Sequence, residues 1–232
     1  MSSEEFLSYD QRYRAVYALG ARTWREPEVD AHLVRFLRRP ALRPGDAIEL
    51  GCGEGIDAIW LASCGWRVTG LDVSPAAIGR ARELADEAGV VVDFRVGDVR
   101  DLSAFRDGSF DLAASIFGLH MLVREADRLC LLREAWRVLR PGGWLFIDSL
   151  ARSRTRQSRA LPAGQPTDYE VTVDGRKMRV QLPAVPSTRF TDRQLRDELQ
   201  NTGFEVVRLY RAGPSEYRRI VCWARKPPTA GR

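Results

Sequence analysis

The sequence predicts an α/β domain built on a mostly parallel sheet with helices on both faces, and three observations predict it. From Asp46 to Asp148, short apolar runs alternate with helix-patterned runs. Strands that alternate with helices pair in parallel, because each helical crossover returns the chain over a face of the sheet. A glycine turn, Gly51-Cys52-Gly53-Glu54-Gly55, stands between the first of these strands and the first of these helices. The strand ends carry acids or glycines: Glu49 to Gly55, Asp72 and Asp98. In such sheets ligands bind beyond the carboxyl ends of the strands, where the strand order reverses. The residues at those ends therefore carry the functional reading.

Composition sets the frame. A chain of 232 residues can bury a sizeable core as one domain or one domain with an elaboration. Its 36 basic residues exceed its 31 acidic ones, a net charge of +5 spread along the chain, which reads as a solvated basic surface. The four cysteines (Cys52, Cys64, Cys130, Cys222) are far apart and only two histidines exist (His32, His120). That spacing speaks against a zinc site or a disulfide framework, so no metal is expected and a cytoplasmic location is. The N-terminus lacks the basic and apolar regions of a signal peptide, and no apolar run approaches the length of a membrane span.

The elements follow in order. Ser3 to about Gly20 reads as a helix with Phe6, Tyr9, Tyr13 and Tyr17; the tyrosines recur every fourth residue and share one face. That face is either a packing stripe or a lid over a ligand site. Pro27 suits a first helical turn, with Val29, Leu33, Phe36 and Leu37 at helical spacing after it. Asp46 to Leu50 is the first core strand, and Ile56 to Cys64 the first core helix, closed by Gly65. Trp66 to Leu71 is the second strand, ending at Asp72; Ser74-Pro75 starts a helix that Gly89 ends. Val90 to Val96 is a β-branched third strand, ending at Gly97-Asp98-Val99. Phe110 to Ser115 is the fourth strand, followed by an apolar stretch that contains His120. Arg124 to Leu139 is a helix with Leu129, Leu132, Ala135, Trp136 and Leu139 inward. Arg140-Pro141-Gly142-Gly143 is a turn, and Trp144 to Asp148 a fifth strand. Arg152, Arg154, Arg156 and Arg159 then fall in a polar segment. Tyr169 to Val173 and Lys177 to Gln181 flank Asp174-Gly175 as a hairpin. Thr191 to Gln194 has capping-box spacing and opens a helix that ends near Gly203. Phe204 to Tyr210 and Tyr217 to Ala224 close as two strands, with a tail from Lys226.

The strand ends suggest chemistry. Glycines at 51, 53 and 55 free the backbone and leave no side chain before a ligand, and the helix that follows aims its first amides at the turn. Asp72 can accept two hydrogen bonds from ribose hydroxyls, or cap a helix. Asp98 can accept one from an adenine amino group, or cap a loop. Glu49, beside the turn, suits an ammonium group or a network beneath the loop and would repel a pyrophosphate. Cys52 is a small residue that fits under the turn.

Five stretches in order, Glu49-Leu50-Gly51-Cys52-Gly53-Glu54-Gly55, Leu71-Asp72-Val73-Ser74, Gly97-Asp98-Val99, Phe110-Asp111-Leu112 and Leu139-Arg140-Pro141-Gly142-Gly143, resemble the successive motifs of class I S-adenosylmethionine-dependent methyltransferases. The resemblance runs from about Asp46 to Asp148, and Thr202-Gly203-Phe204-Glu205-Val206 adds to it. The stretch with Trp24 and Pro27 resembles, over that stretch alone, the tellurite-resistance and thiopurine methyltransferase-like branch. The resemblance implies a Rossmann-like, doubly wound, seven-stranded sheet with its last strand antiparallel. It implies that Gly51, Cys52, Gly53 and Gly55 hold the methionine part of S-adenosyl-L-methionine, with Glu49 beneath. Asp72, followed by Val73, would bind the ribose, and Asp98 with the Val99 backbone the adenine. Ser115 and Phe117 would line the far side near the methyl group. Residues 1–45 would form a helical lid carrying Tyr9, Tyr13 and Trp24, residues 46–232 the catalytic domain, and residues 151–190 a substrate-facing insertion.

Methyl transfer from a sulfonium is an in-line displacement with a leaving group already activated, so alignment and exclusion of water carry most of the work. A base is needed only where the acceptor loses a proton, and His120 is the candidate. The reading is a monomeric or homodimeric enzyme that methylates a small molecule and releases S-adenosyl-L-homocysteine, with neither nucleic acid nor membrane as partner. RNA or protein as the acceptor is the alternative within the class. From outside it come a non-catalytic S-adenosylmethionine-binding protein and an NAD(P)-dependent oxidoreductase. The latter wants a third glycine at position 56, where this chain has Ile.

Overall fold

The computed structural model of the chain describes residues 3–21, 28–39, 42–152, 166–173, 176–214 and 218–229. Two helices come first, α1 (Ser3–Ala18) and α2 (Ala31–Leu37). The core alternates β1 (Asp46–Leu50), α3 (Ile56–Ser63), β2 (Arg67–Asp72), α4 (Pro75–Ala88), β3 (Asp93–Val96), β4 (Phe110–Ile116), a 3-10 turn (Leu119–Met121), α5 (Glu125–Val138) and β5 (Leu139–Leu150). After it come β6 (Pro166–Val173), β7 (Arg176–Pro183), α6 (Asp192–Asn201), β8 (Glu205–Ala212) and β9 (Arg219–Arg225).

Seven strands form one sheet in the order β3-β2-β1-β4-β5-β9-β8. The β1–β2, β2–β3, β1–β4 and β4–β5 pairs are parallel, and β9 runs antiparallel to both of its neighbours, β5 and β8. The last strand alone is reversed, as the resemblance implied. The chain builds outward from β1 to β3 and then returns to place β4 on the other side of β1. That reversal opens a crevice beyond the carboxyl ends of β1 and β4.

The local signals explain the frame. β1 is covered on both faces and paired on both edges, so Ala47 to Leu50 are buried without alternation, Glu49 included. Ser74 caps α4 by accepting the Ala77 N–H at 3.1 Å, Pro75 fills the first helical position, and Gly89 ends the helix with φ +66°. Thr191 caps α6 through the Gln194 N–H at 3.1 Å.

Tertiary structure changed several boundaries. Pro27 and Trp24 lie outside the described residues, and α2 starts only at Ala31, where Asp30 accepts the His32 and Leu33 N–H groups. Strand β3 begins at Asp93, because the Val90 N–H is spent on the Ala85 carbonyl in closing α4, and Val91 is exposed. Arg140 to Gly143 is a bulge inside β5: pairing jumps from Phe110–Leu139 to Leu112–Trp144. The inward face of α5 is Leu131, Leu132, Ala135 and Val138, while Trp136 is more than a third exposed. Lys226 does not begin a free tail. Its Nζ caps the end of α5, donating to the Trp136 and Leu139 carbonyls at 2.8 and 2.7 Å.

Two cores flank the sheet. Leu131, Leu132 and Ala135 of α5 pack with Leu195 and Leu199 of α6 on Leu145 and Ile147. On the other face Phe36 of the short α2 meets Trp144 and Trp223 edge-on. The guanidinium groups of Arg39 and Arg208 complete the cover over Trp223, at 5.2 and 4.9 Å. Strands β6 and β7 form a separate antiparallel hairpin, with Val173 opposite Arg176, and Val171 and Leu182 pack on Val16 and Ala21. No described helix is long and apolar enough to cross a membrane.

Arg128 on α5 and Glu198 on α6 form a buried pair, with the closest contact 2.6 Å. Arg128 also donates to the Leu122 and Val123 carbonyls, just beyond the 3-10 turn. Removing one member of a buried pair leaves an uncompensated charge, so Glu198→Ala should destabilise the fold by roughly 3–5 kcal/mol. The double variant Arg128→Met/Glu198→Leu should recover most of that loss. Denaturant melts of the three proteins measure both effects; a double variant no more stable than Glu198→Ala would contradict this account.

Candidate active site

The site grows from the end of β1. Gly51, Gly53 and Gly55 have φ of +79°, +54° and +74°. That left-handed geometry coils the chain so that its amides turn toward β2. The Gly51 and Cys52 N–H groups both donate to the Leu71 carbonyl, at 2.8 and 3.0 Å. The Gly53 N–H donates to Asp72 Oδ2 at 2.9 Å. Gly55 opens α3 without a side-chain cap. A Cβ on Gly55 would stand 2.4 Å from the Phe94 ring, so this glycine also permits loop and β3 to pack. Cys52 and Glu49 are both buried at the loop. Burial, with the charges of Asp72 and Glu49 adding, pushes the Cys52 thiol far up and keeps it protonated. That suits a packing role.

Asp72 is buried at the end of β2, and its other oxygen accepts the Ser74 N–H at 2.9 Å. Burial pushes its carboxyl above the ordinary value, against the pull of the Ser74, Gly53 and Val73 amides; nearby Asp10 adds to the rise. Val73 is half-buried beside it. Asp10 comes from α1. Its Oδ1 accepts from Ser74 Oγ at 2.7 Å and from the Ala76 N–H at 2.9 Å, so α1 is anchored on the N-terminus of α4. Burial opposes ionisation of Asp10, but Arg14 and those two bonds outweigh it and hold the carboxyl below its ordinary value.

The tyrosine stripe of α1 faces inward. A Cβ on Gly53 would fall 2.7 Å from Tyr13 Oη, so that hydroxyl stands directly over the glycine loop. Tyr9 Oη donates toward the Met121 and Pro186 carbonyls at 3.4 and 3.2 Å. Arg12 stacks 3.5 Å over the Tyr169 ring of β6 and donates to the Pro183 carbonyl. Helix α1 thus spans from the glycine loop to the β6–β7 hairpin. Trp24, the third residue expected there, lies outside the described residues.

Beyond β4 the chain turns over the glycine loop from the opposite side. A Cβ on Gly118 would meet the Leu50 carbonyl at 2.6 Å and Ser115 Oγ at 2.9 Å, so only glycine fits against β1 here. Ser115 is fully buried, and its Oγ has no hydrogen-bond partner among the described residues. Phe117 has φ +54°, and its ring meets the His120 imidazole edge-on at 5.9 Å. His120 is buried in the 3-10 turn, and its Nδ1 has no partner among the described residues. Burial, aided by the charge of Arg189, pushes the imidazole down to about 3, so it is neutral at ordinary pH.

Asp98 stands where expected, after β3, with Val99 beside it. Its carboxylate is engaged by Arg100 through both oxygens, at 2.6–3.0 Å, and Arg100 continues to Asp127 at 2.6 Å. The open depression of about 590 Å³ bounded by Arg100, Ser103, Cys130 and Arg137 contains none of the other site residues.

Sequence reasoning missed Asp10, Asp30, Asp57, Gly118, Asp148 and Arg219. Asp148 had a signal, since the sequence pattern ends its fifth strand there, although β5 runs on to Leu150. Arg219 had none: its meaning depends on β9 lying beside β5, where Arg219 bonds Asp148 and Asp30. Asp57, in the first turn of α3, accepts the Asp30 N–H at 2.7 Å and ties this group to the glycine loop.

Comparison with known proteins agrees with this geometry. A family model for a methyltransferase domain matches residues 48–147. A ubiquinone biosynthesis O-methyltransferase from Xanthomonas campestris pv. campestris is 34% identical over 144 residues, 59% of each chain. The match therefore spans less than two thirds of that relative. A structure solved for the conversion of a disulfide bond into a thioacetal group during echinomycin biosynthesis superposes with a TM-score of 0.71 at 25% identity, covering 96% of this chain and 93% of that one. A SAM-dependent methyltransferase from Methanosarcina mazei superposes with a TM-score of 0.67 at 23% identity, over 87% of this chain and 100% of that one. The glycine loop and the acids Asp72 and Asp98 all fall within the stretch that matches the methyltransferase domain model, and the sheet around them has the fold that these solved structures share.

Proposed function

We propose that the protein transfers a methyl group from S-adenosyl-L-methionine to a hydroxyl oxygen of a small molecule. The observation that carries this reading is the joined pair of strand ends: left-handed glycines after β1 and buried Asp72 after β2, held 2.9 Å apart through the Gly53 N–H. These residues fit the cofactor. The glycine loop presents backbone without side chains. Asp72 keeps lone pairs for ribose hydroxyls beyond the amide bonds that it accepts. Ser115 Oγ is a buried polar atom open to a ligand bond. Asp98 and the Val99 backbone would hold the adenine, with the Arg100 ion pair setting the carboxylate orientation. Val73, Glu49 and Cys52 would complete the bed, and Phe117 would line the methyl side. An oxygen acceptor is supported by the O-methyltransferase relatives.

When bound, the cofactor supplies a methyl group on a sulfonium that leaves as a neutral thioether. The chain must align the acceptor and keep water out. Helix α1 (with Tyr9 and Tyr13) and the β6–β7 hairpin would form the lid and the acceptor wall; Asp10 would latch that lid to α4. A neutral His120 can accept a hydrogen bond from the acceptor hydroxyl and orient its lone pair. Its conjugate acid, at about 3, is too strong an acid for His120 to strip a neutral hydroxyl beforehand. Once the oxygen has spent its lone pair on carbon, its proton becomes far more acidic and passes to His120.

Asp72→Ala should weaken S-adenosylmethionine binding more than tenfold in calorimetry while the circular dichroism spectrum stays native. For the parent protein, affinity should fall as pH drops through the raised Asp72 pKa, above the ordinary 3.8. Near-parental affinity in the variant would remove Asp72 from the ribose role.

The rate of methyl transfer should show no titration near 6.5, because His120 stays neutral well below that value. Stability should behave otherwise. The unfolded chain binds the histidine proton near 6.5 and the folded chain only at about 3, so stability is lost as pH falls between those values. His120→Asn should shallow that acid-side loss and slow turnover more than cofactor binding. An unchanged slope in urea melts across that range would show that His120 is not buried neutral.

Opening the lid latch gives a separate readout. Asp10→Ala should speed cofactor release in stopped-flow measurements while changing melting temperature little; an unchanged release rate would leave α1 as packing alone.

A further inference from the structure

The strained turn after β4 has an anchor that comes from the far end of the chain. Phe117 is the one non-glycine residue with positive φ among the described residues. Non-glycine residues persist in that conformation only where their surroundings over-determine them. Two contacts do so here. The Phe117 N–H donates to the Asp148 carbonyl at 2.8 Å, and the Arg219 guanidinium lies 4.9 Å over the Phe117 ring. Arg219 is itself fixed: its Nε donates to Asp148 Oδ1 at 2.9 Å, and its Nη2 to both Asp148 Oδ2 and Asp30 Oδ2. Both carboxylates are buried, and the guanidinium remains about one quarter exposed. The other edge of the Phe117 ring closes against His120.

We propose that Arg219 is a positioning residue: it locks Phe117 in its left-handed turn and so keeps His120 enclosed at the methyl-transfer position. The role given to His120 rests on the methyl-transfer reading above; the packing relation does not. Arginine suits the task where lysine does not. A planar guanidinium can bond two carboxylates in its plane while its face rests on a ring; an ammonium is a compact point charge that keeps its water. The arrangement also joins the two halves of the site, because Asp30 continues through its N–H to Asp57 at the start of α3. Asp30 and Asp148 hold this guanidinium as they do because β5 and β9 are neighbours, with Leu150 opposite Arg219.

The test uses the full-length chain labelled with 15N-histidine. The chain has two histidines, and His32, bonded to Tyr210, gives the other imidazole signals. Arg189 is the charged group acting on His120, and it stays in every variant. In the parent, the His120 ring nitrogens should report one neutral form, unchanged between about pH 5 and 8. In Arg219→Lys, which keeps the charge between the two acids, the Phe117 ring should loosen and admit water. The His120 signals should then titrate inside that range, a rise of about two pH units or more. Phe117→Leu removes the ring from the other side and should give the same change, so the link stays testable if Arg219→Lys folds poorly. S-adenosylmethionine affinity in Arg219→Lys should stay within about threefold of the parent, since the glycine loop and Asp72 keep their contacts and only the Phe117 ring on the methyl side loosens. His120 signals that superpose on those of the parent in whichever variants fold would overturn the proposal. So would a cofactor affinity that falls as much as His120 changes, because that marks general loosening. Failure of the parent to bind S-adenosylmethionine would strike the methyl-transfer reading alone, and the His120 comparison would still decide the role of Arg219.

Discussion

The active end of this molecule depends on the glycine loop being folded down onto the end of β2. Three consecutive amides, from Gly51 to Gly53, donate to the Leu71 carbonyl and the Asp72 carboxylate. Those bonds need left-handed φ at alternate positions, which is why glycines recur there. They also fix Asp72. A buried carboxylate is costly unless hydrogen bonds satisfy it, and here the loop amides and the start of α4 supply them. The loop geometry and the position of the acid are one constraint seen from two sides. The reversal of strand order at β1 leaves room above them for a ligand.

A second constraint fixes the opposite wall. The turn after β4 lies so close to β1 that Gly118 tolerates no side chain, and this sets the turn that carries Phe117 and His120 against the glycine loop through Gly118, with Ser115 Oγ beside it. The network of Asp57, Asp30, Arg219 and Asp148 then connects both walls through buried charge. Such groups contribute little net stability for the desolvation that they require. Their effect is geometric, holding elements distant in sequence in one arrangement. Arg128 and Glu198 do the same below the 3-10 turn, where Arg128 also holds the carbonyls that follow His120.

Helix α1 and the β6–β7 hairpin stand apart from the sheet and cover the strand ends. Among the described residues their mutual packing is modest: Val16, and Ala21 just beyond α1, meet Val171 and Leu182, with partly buried neighbours. Much of the rest of the contact is polar: Asp10 at α4, Tyr9 at two carbonyls, and Arg12 on Tyr169. A cover held by few apolar contacts and several polar ones opens at lower cost than one held by a core. That property suits the lid proposed above.

Much of the fold was legible in the sequence. Apolar periodicity, caps and glycine stops are local signals, and they marked the alternation from β1 to β5, the hairpin and both closing strands. They also marked Gly51, Gly53, Gly55, Asp72 and Asp98 as strand-end residues, because placement at a strand end follows from the length of the strand. Local signals failed where a distant partner decided the outcome. Val90 serves the end of α4 rather than β3; the Gly142 turn became a bulge because β5 continues its pairing through it; Lys226 caps a helix ninety residues earlier in the chain. The same holds for the site. The side proposed for the cofactor lies within one stretch of alternating elements, so local signals alone marked its residues. Asp10 over α4, the tyrosines over the loop, and Arg219 between Asp30 and Asp148 come from both ends of the chain. They meet only because α1 folds back across the strand ends and β9 inserts beside β5, and no local pattern encodes a contact between residues 189 positions apart.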